Sequence, residues 1–194
     1  MAMKFTQVPA NAWQRLQMNA GIIVDEFTPS TGTIGNILGA TTGGITFNSN
    51  PQYSDFGEDV DNVPANTWQL KRLDSYDPVI SGTFLTVNAA LVKSLLGGAD
   101  VDTTDTTLVT PRTGALTEDD FDDIWFVGDY SDVNTGTSAG FLAVHLKLAL
   151  NTTGFQISTS KDGKGQMAFE YHGHYDLTDL SDEPFEVYVK AGTT

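Results

Sequence analysis

The chain has no cysteine, which excludes disulfides, thiolate metal sites and cysteine nucleophiles. Positive charge is scarce: 10 Lys and Arg face 25 Asp and Glu in 194 residues, a formal net charge of −15. A protein that grips a nucleic-acid backbone needs a basic face, and one that docks on an anionic membrane needs the same. Both classes are disfavoured. No run of about 18 apolar residues occurs, so no segment reads as a membrane-spanning helix. Met1 to Phe5 has one Lys and no apolar stretch behind it, unlike a secretory signal. Charged residues are only 18%, too few for a disordered acidic tail. Glutamate is scarce within the acid itself, 6 residues against 19 Asp, while Thr appears 25 times and Gly 19 times. Glu favours helices, whereas Asp, Gly and Thr favour turns and strands, so the composition predicts a β-rich globular domain.

Alternation is the main signal of order. In FLAVHLKLAL, Phe141 to Leu150, the even positions are Leu142, Val144, Leu146, Leu148 and Leu150, and the odd face is mixed. That predicts a strand with one buried face. From Met167 to Leu177, Met167, Phe169, Tyr171, Tyr175 and Leu177 share one face, and Glu170, His172, His174 and Asp176 share the other. Phe155 to Ser160 precedes it across Lys161–Gly165 (KDGKG), a hairpin signal. Phe185, Val187 and Val189 give a short last strand. Gly21–Phe27, Gly44–Phe47, Val79–Val87 and Asp123–Val127 also read as strands. One helix interrupts them: Asn88 caps it, Leu91, Val92, Leu95 and Leu96 stack at i,i+4, and Gly97-Gly98 stops it. Trp13 to Met18 predicts a further short helical turn. Two stretches are too polar and Thr/Gly-rich for a core, Thr28–Gly44 and Asp100–Thr117. The expectation is a single domain over residues 1–194, with loop insertions at about 28–44 and 99–118.

Candidate chemistry is thin. His172 and His174 point the same way on a strand, with Glu170 and Asp176 beside them and His145 as a possible third metal ligand. A solvated face of an antiparallel sheet accounts for the same pattern, and no HExxH spacing accompanies it. Acidic clusters occur at Glu58, Asp59 and Asp61, at Asp100, Asp102 and Asp105, and over Glu118–Asp123. None matches the calcium-loop pattern of alternating Asp, a Gly and a distal Glu. There is no Gly-x-Ser-x-Gly elbow and no Gly-rich phosphate loop followed by Lys. Asn151-Thr152-Thr153 fits a glycosylation acceptor but reads as a turn. Trp13, Trp68 and Trp125 could line a sugar site, with core or interface the plainer role. The expectation is a non-enzyme with no catalytic residues, no cofactor and no metal.

Three stretches carry a resemblance. The first is Tyr53 to Phe84, YSDFGEDVDNVPANTWQLKRLDSYDPVISGTF. The second is Leu85 to Arg112, a strand end, the helix NAALVKSLLGGAD and an acidic Thr-rich loop. The third is FDDIWFVGDYSD from Phe121, then GFLAVHLKLALNTTGFQISTSKDGKGQMAFEYHGHYDL and a closing EVYVKAG. In that order they resemble the major tail tube proteins of long-tailed phages and prophages of Gram-positive bacteria.

The resemblance implies a mainly β fold: two packed antiparallel sheets, as a sandwich or half-barrel, with one flanking α-helix. It implies homohexameric rings stacked into a tube, a tape measure protein in the lumen, and tail terminator and distal tail proteins at the ends. Genomic DNA would pass without stable binding, and no membrane is involved. The protein would sit in the virion tail, after assembly in the host cytoplasm. Six copies at −15 carry −90 per ring, a sign that repels phosphate. A loop near the N-terminus, placed here at Thr28–Gly44 with Thr28, Ile34, Ile37, Leu38 and Thr42, would reach a neighbour and be ordered by it. Phe56, Glu58, Asp61 and Trp68 mark a second candidate interface loop. Other readings of the same features are the inner tube of a contractile tail, tailocin or secretion system, a monomeric sugar- or calcium-binding β-sandwich, and an acidic DNA mimic.

Overall fold

The computed structural model describes Leu16 and residues 19–129 and 139–191. Apart from Leu16, the predicted turn at Trp13–Met18 lies outside the described residues. In chain order the strands begin with β1 (Ile22–Val24), β2 (Phe27–Thr28), β3 (Thr33–Ile34), β4 (Thr41–Asn48), β5 (Pro51–Asp55), β6 (Lys71–Tyr76) and β7 (Val79–Phe84). After helix α1 (Ala89–Leu96) come β8 (Ala99–Val101), β9 (Val109–Pro111), β10 (Asp122–Asp129), β11 (Phe141–Asn151), β12 (Met167–His172) and β13 (Phe185–Lys190). The fold is mainly β, with antiparallel sheets and, among the described residues, one α-helix.

Strand β11 joins the two halves of the sheet. Its first part, Phe141–Leu146, lies between β10 and β13. Its end, Leu150–Asn151, pairs instead with β12, which continues through β7 to β4. The switch is made at Leu148, whose φ of 45° puts an L-residue in the left-handed region. The register against β10 slips at the same place, between Asp122 and Ile124. This corrects the single aliphatic face expected for the strand. Val144 and Leu146 face the main core, but beyond the slip Ala149 and Asn151 are the buried residues, and Leu148 and Leu150 are only half-buried. Upstream, Phe141 and Ala143 on the opposite face are buried too.

Two apolar clusters result. The larger lies between the β12–β7 portion of the sheet, the β10–β11 portion and α1, and contains Ile80, Phe84, Leu91, Leu95, Ile124, Leu146, Met167, Phe169 and Tyr171. The smaller lies on the other face of β10–β11, where Phe27 on the β2–β3 hairpin packs edge-on against Trp125 and Phe141. Full burial of one Leu or Phe side chain contributes about 1.5–3 kcal/mol.

The helix forms where the sequence predicts it. Asn88 Oδ1 accepts from Leu91 N–H at 2.8 Å, and Gly97 closes the helix at φ 70°. Leu91 and Leu95, one turn apart, are its buried residues. Ser94 on the next row hydrogen-bonds Asp122 of β10 at 2.5 Å and Tyr171 of β12 at 2.7 Å. The helix is thus tied to both portions of the sheet. Burial pushes the Tyr171 phenol and the Asp122 carboxyl up from their ordinary values.

Several other expectations are corrected. Phe155–Ser160 is not a ladder strand: one bridge, Ser158 with Gln166, closes the Lys161–Gly165 turn. The face read through Met167–Leu177 ends with β12 at His172, and Leu177 is exposed. Thr28–Gly44 is not a bare excursion. It holds the β2–β3 hairpin and the start of β4, because Asp25 accepts from Asn36 N–H at 2.7 Å and Asn36 Nδ2 at 2.8 Å. The Asp100–Thr117 stretch contains the β8–β9 ladder, anchored by Arg112 on the Asp120 and Asp100 carboxylates.

Candidate interaction surfaces

The ladder of β4 with β7 continues past Asn50 and Asp77 as β5 with β6. This forms a two-stranded arm that sequence reading missed. Its joint is pinned by three contacts. Asn50 Nδ2 donates to the Asp77 carbonyl at 3.0 Å, and Tyr76 N–H donates to Tyr175 Oη at 2.9 Å. The third is His172, with Nδ1 2.8 Å from Asp77 Oδ1 and Nε2 3.2 Å from Glu170 Oε1. Burial pushes this imidazole down, but a carboxylate on each ring nitrogen outweighs it and the pKa rises. Only the imidazolium can donate to both.

The loop at the arm's tip, residues 56–70, is organised by one side chain. Asp55 accepts from Gly57 N–H and Asn66 N–H, both at 3.0 Å, and so ties the loop's two ends. Asn62 and Asn66 take left-handed φ values of 66° and 63°, a conformation that Asn tolerates better than other L-residues. Trp68 then begins a 3₁₀ turn and stands 79% exposed. Phe56, Val60 and Tyr53 are also exposed, as are Glu58 and Asp61. The predicted set Phe56, Glu58, Asp61 and Trp68 therefore lies together on one loop. Tyr53 and Leu73 on the arm's strands were missed, although the residues flanking NVPAN pair across the two strands.

The other predicted set divides. Ile34 and Ile37 are exposed, at 43% and 54%. Leu38 packs against the larger core, Thr42 pairs with Thr83, and Thr28 is half-buried in its hairpin.

The outer edges of the sheet differ in protection. β1 is covered by the following chain, with Leu38 N–H donating to Ile23 and Asp25 N–H to Asn36. β4 is interrupted between Thr42 and Thr46, where Gly43 and Gly44 have φ of 76° and 86°. Such a bulge discourages pairing. β13 has β11 as its one strand neighbour among the described residues. Val187 lies opposite Val144 and Val189 opposite Leu142, on the face that elsewhere forms the core, yet they are 49% and 60% exposed.

The histidines do not converge as the metal alternative required. β12 ends at His172, and His174 turns away to donate from Nδ1 to the Leu148 carbonyl at 3.0 Å, edge-on to Phe121. His145 stacks on Trp125 at 4.0 Å and reaches Asp123 at 3.3 Å, which lowers that carboxyl's pKa. Among the described residues, no three His, Asp or Glu side chains are placed to hold a metal ion. Trp125 is in the smaller core cluster and Trp68 on the arm, so they do not form one platform. Asn151 is 3% exposed and its amide is consumed inside the protein, which rules out glycan attachment in the folded state. Among the described residues, no helix is long and apolar enough to cross a membrane.

Among the described residues the fold therefore defines a class, an antiparallel β protein with one flanking α-helix, an edge strand with a single neighbour and a projecting arm. No known protein-family model matches the chain, and no curated protein is significantly similar to it.

Proposed function

We propose that the chain is a self-assembling structural subunit of a phage-type tail tube, acting through repeated contacts between copies. In this reading hexameric rings stack around a lumen that holds a tape measure protein during assembly and later conducts DNA. The observation that carries it is the edge at β13, which has no second strand neighbour among the described residues: a regular strand with Val187 and Val189 exposed on the core-side face, while β1 is covered and β4 is bulged. An exposed apolar edge strand recruits further polypeptide, and contact with a neighbouring copy covers it. The acidic composition suits the conduit. With 10 basic residues per chain, few cations are available to neutralise phosphates and hold DNA in transit.

The test is the state of the purified protein as concentration rises. Negative-stain microscopy and sedimentation are expected to show rings or tubes of uniform diameter, and Val187→Lys with Val189→Lys should leave folded, dispersed subunits. Wild-type protein that remains monomeric at high concentration would end this reading.

A further inference from the structure

We propose that the arm of one copy docks end-on against the Lys161–Gly165 turn of the next, so that subunits associate pole to pole with a fixed polarity. The proposal rests on the self-assembly reading and gives it a direction and a contact.

The register places the two surfaces. In the β4–β7–β12 ladder, Val79 lies beside Asn48 and His172 at one end, and Phe84 lies beside Thr41 and Met167 at the other. The arm leaves from the Val79 end, through the Asn50–Asp77 joint. The Lys161–Gly165 turn leaves from the Met167 end, through the Ser158–Gln166 bridge. Five strand residues at about 3.3 Å each carry the tip about 17 Å beyond the joint.

The two ends differ in charge: the tip loop carries three carboxylates and no cation, and the turn carries two lysines with one carboxylate, Asp162, between them. Glu58, Asp59 and Asp61 at the tip are exposed and have no cation partner among the described residues. Lys161 and Lys164 are likewise exposed, with no carboxylate partner there. Arg72 is engaged by Asp74, Arg112 by Asp100 and Asp120, and Lys147 by Asp182 and Glu186, while Lys71 at the foot of the tip loop donates to Asn66 Oδ1.

Apolar surface accompanies each charge. Phe56, Val60 and Trp68 flank the acid. Ile157, 60% exposed, precedes the basic turn. Exposed aromatic and aliphatic side chains beside unmatched charge have the composition of an interface with a rim. A second copy supplies both complements at once.

The contact is heterologous, because the surface used on one copy differs from that used on the next. An array of any length still presents a free arm at one end and a free turn at the other. Such contacts do not saturate, and an axial array elongates.

The test uses wild-type protein and charge-swapped variants. Zero-length carbodiimide coupling of assembled wild-type protein, read by mass spectrometry, should join Lys161 or Lys164 to Glu58, Asp59 or Asp61 between copies. Lys161→Glu with Lys164→Glu, or Glu58→Lys with Asp59→Lys and Asp61→Lys, should each raise the concentration needed for elongation more than about tenfold. That factor corresponds to about 1.4 kcal/mol. All five substitutions in one chain should restore elongation. Assemblies that lack these cross-links and elongate equally with either swap would overturn this contact and leave the tube reading standing. Wild-type protein that never assembles would instead remove both.

Discussion

Asn151 offers a sharp test of how the helix is held to the sheet. Its Nδ2 donates to the Leu95 carbonyl at 2.7 Å and the Gly154 carbonyl at 3.1 Å, while Oδ1 accepts from Glu170 N–H at 2.9 Å and Thr153 Oγ1 at 3.2 Å. Leu95 lies in the last turn of α1, where carbonyls have no partner within the helix, and Glu170 lies in β12. One buried amide thus satisfies a helix end and a strand at once. Asn151→Ala leaves both groups unpaired in a site that is 3% exposed. Each unsatisfied buried group costs about 1–3 kcal/mol, so the loss for the two is about 2–6 kcal/mol. For a domain of this size that lowers Tm by roughly 10 °C. Urea unfolding followed by circular dichroism would measure it. Asn151→Asp separates the roles. It keeps the acceptor for Glu170 but loses the donors and sets a carboxylate against the negative end of α1. It should be at least as destabilised as the Ala variant. A loss below about 1 kcal/mol for Ala, or an Asp variant matching wild type, would refute the assigned donor role.

Three further outcomes are expected. Gly97→Ala should destabilise the protein by about 1–2 kcal/mol or more in the same assay, because φ is 70° and a Cβ would stand 2.8 Å from the Asn151 carbonyl oxygen. His172 has a raised folded-state pKa, so its contribution is fully present below the unfolded value near 6.5 and is lost as pH rises through the higher folded value. The stability difference between wild type and His172→Asn should therefore shrink from pH 6 upward, and an imidazole NMR titration with its midpoint at or below 6.5 would contradict the assignment. Asp120, whose side chain is 1% exposed, accepts from Arg112 and from Thr117 N–H, the latter at 2.7 Å. The Thr117 bond, then Arg112, outweighs burial and lowers its pKa. Asp120→Ala should free the β8–β9 hairpin, seen as faster tryptic cleavage after Arg112; an unchanged cleavage rate there would refute it.

What the amino-acid order determined by itself was short-range. Helix α1 was legible from Asn88 to Gly97 because its cap, its leucine spacing and its left-handed stop all act within one or two turns. The strands around Ile124, Val144 and Phe169 were legible from local alternation, and the exposed set Phe56, Glu58, Asp61 and Trp68 from its polar, turn-rich surroundings. Tertiary structure decided the rest. Alternation names two faces of a strand but not what covers each. Phe27 of the β2–β3 hairpin joins the cluster that buries Phe141 and Ala143, and the change of partner at Leu148 brings Ala149 and Asn151 inward. The histidines part because β12 ends between them, and the acidic tip and basic turn lie at opposite poles because β7 sets the register of both neighbours. These features depend on pairings between residues far apart in the chain, and strand partners are selected by side-chain packing over the whole domain rather than by any local run of residues.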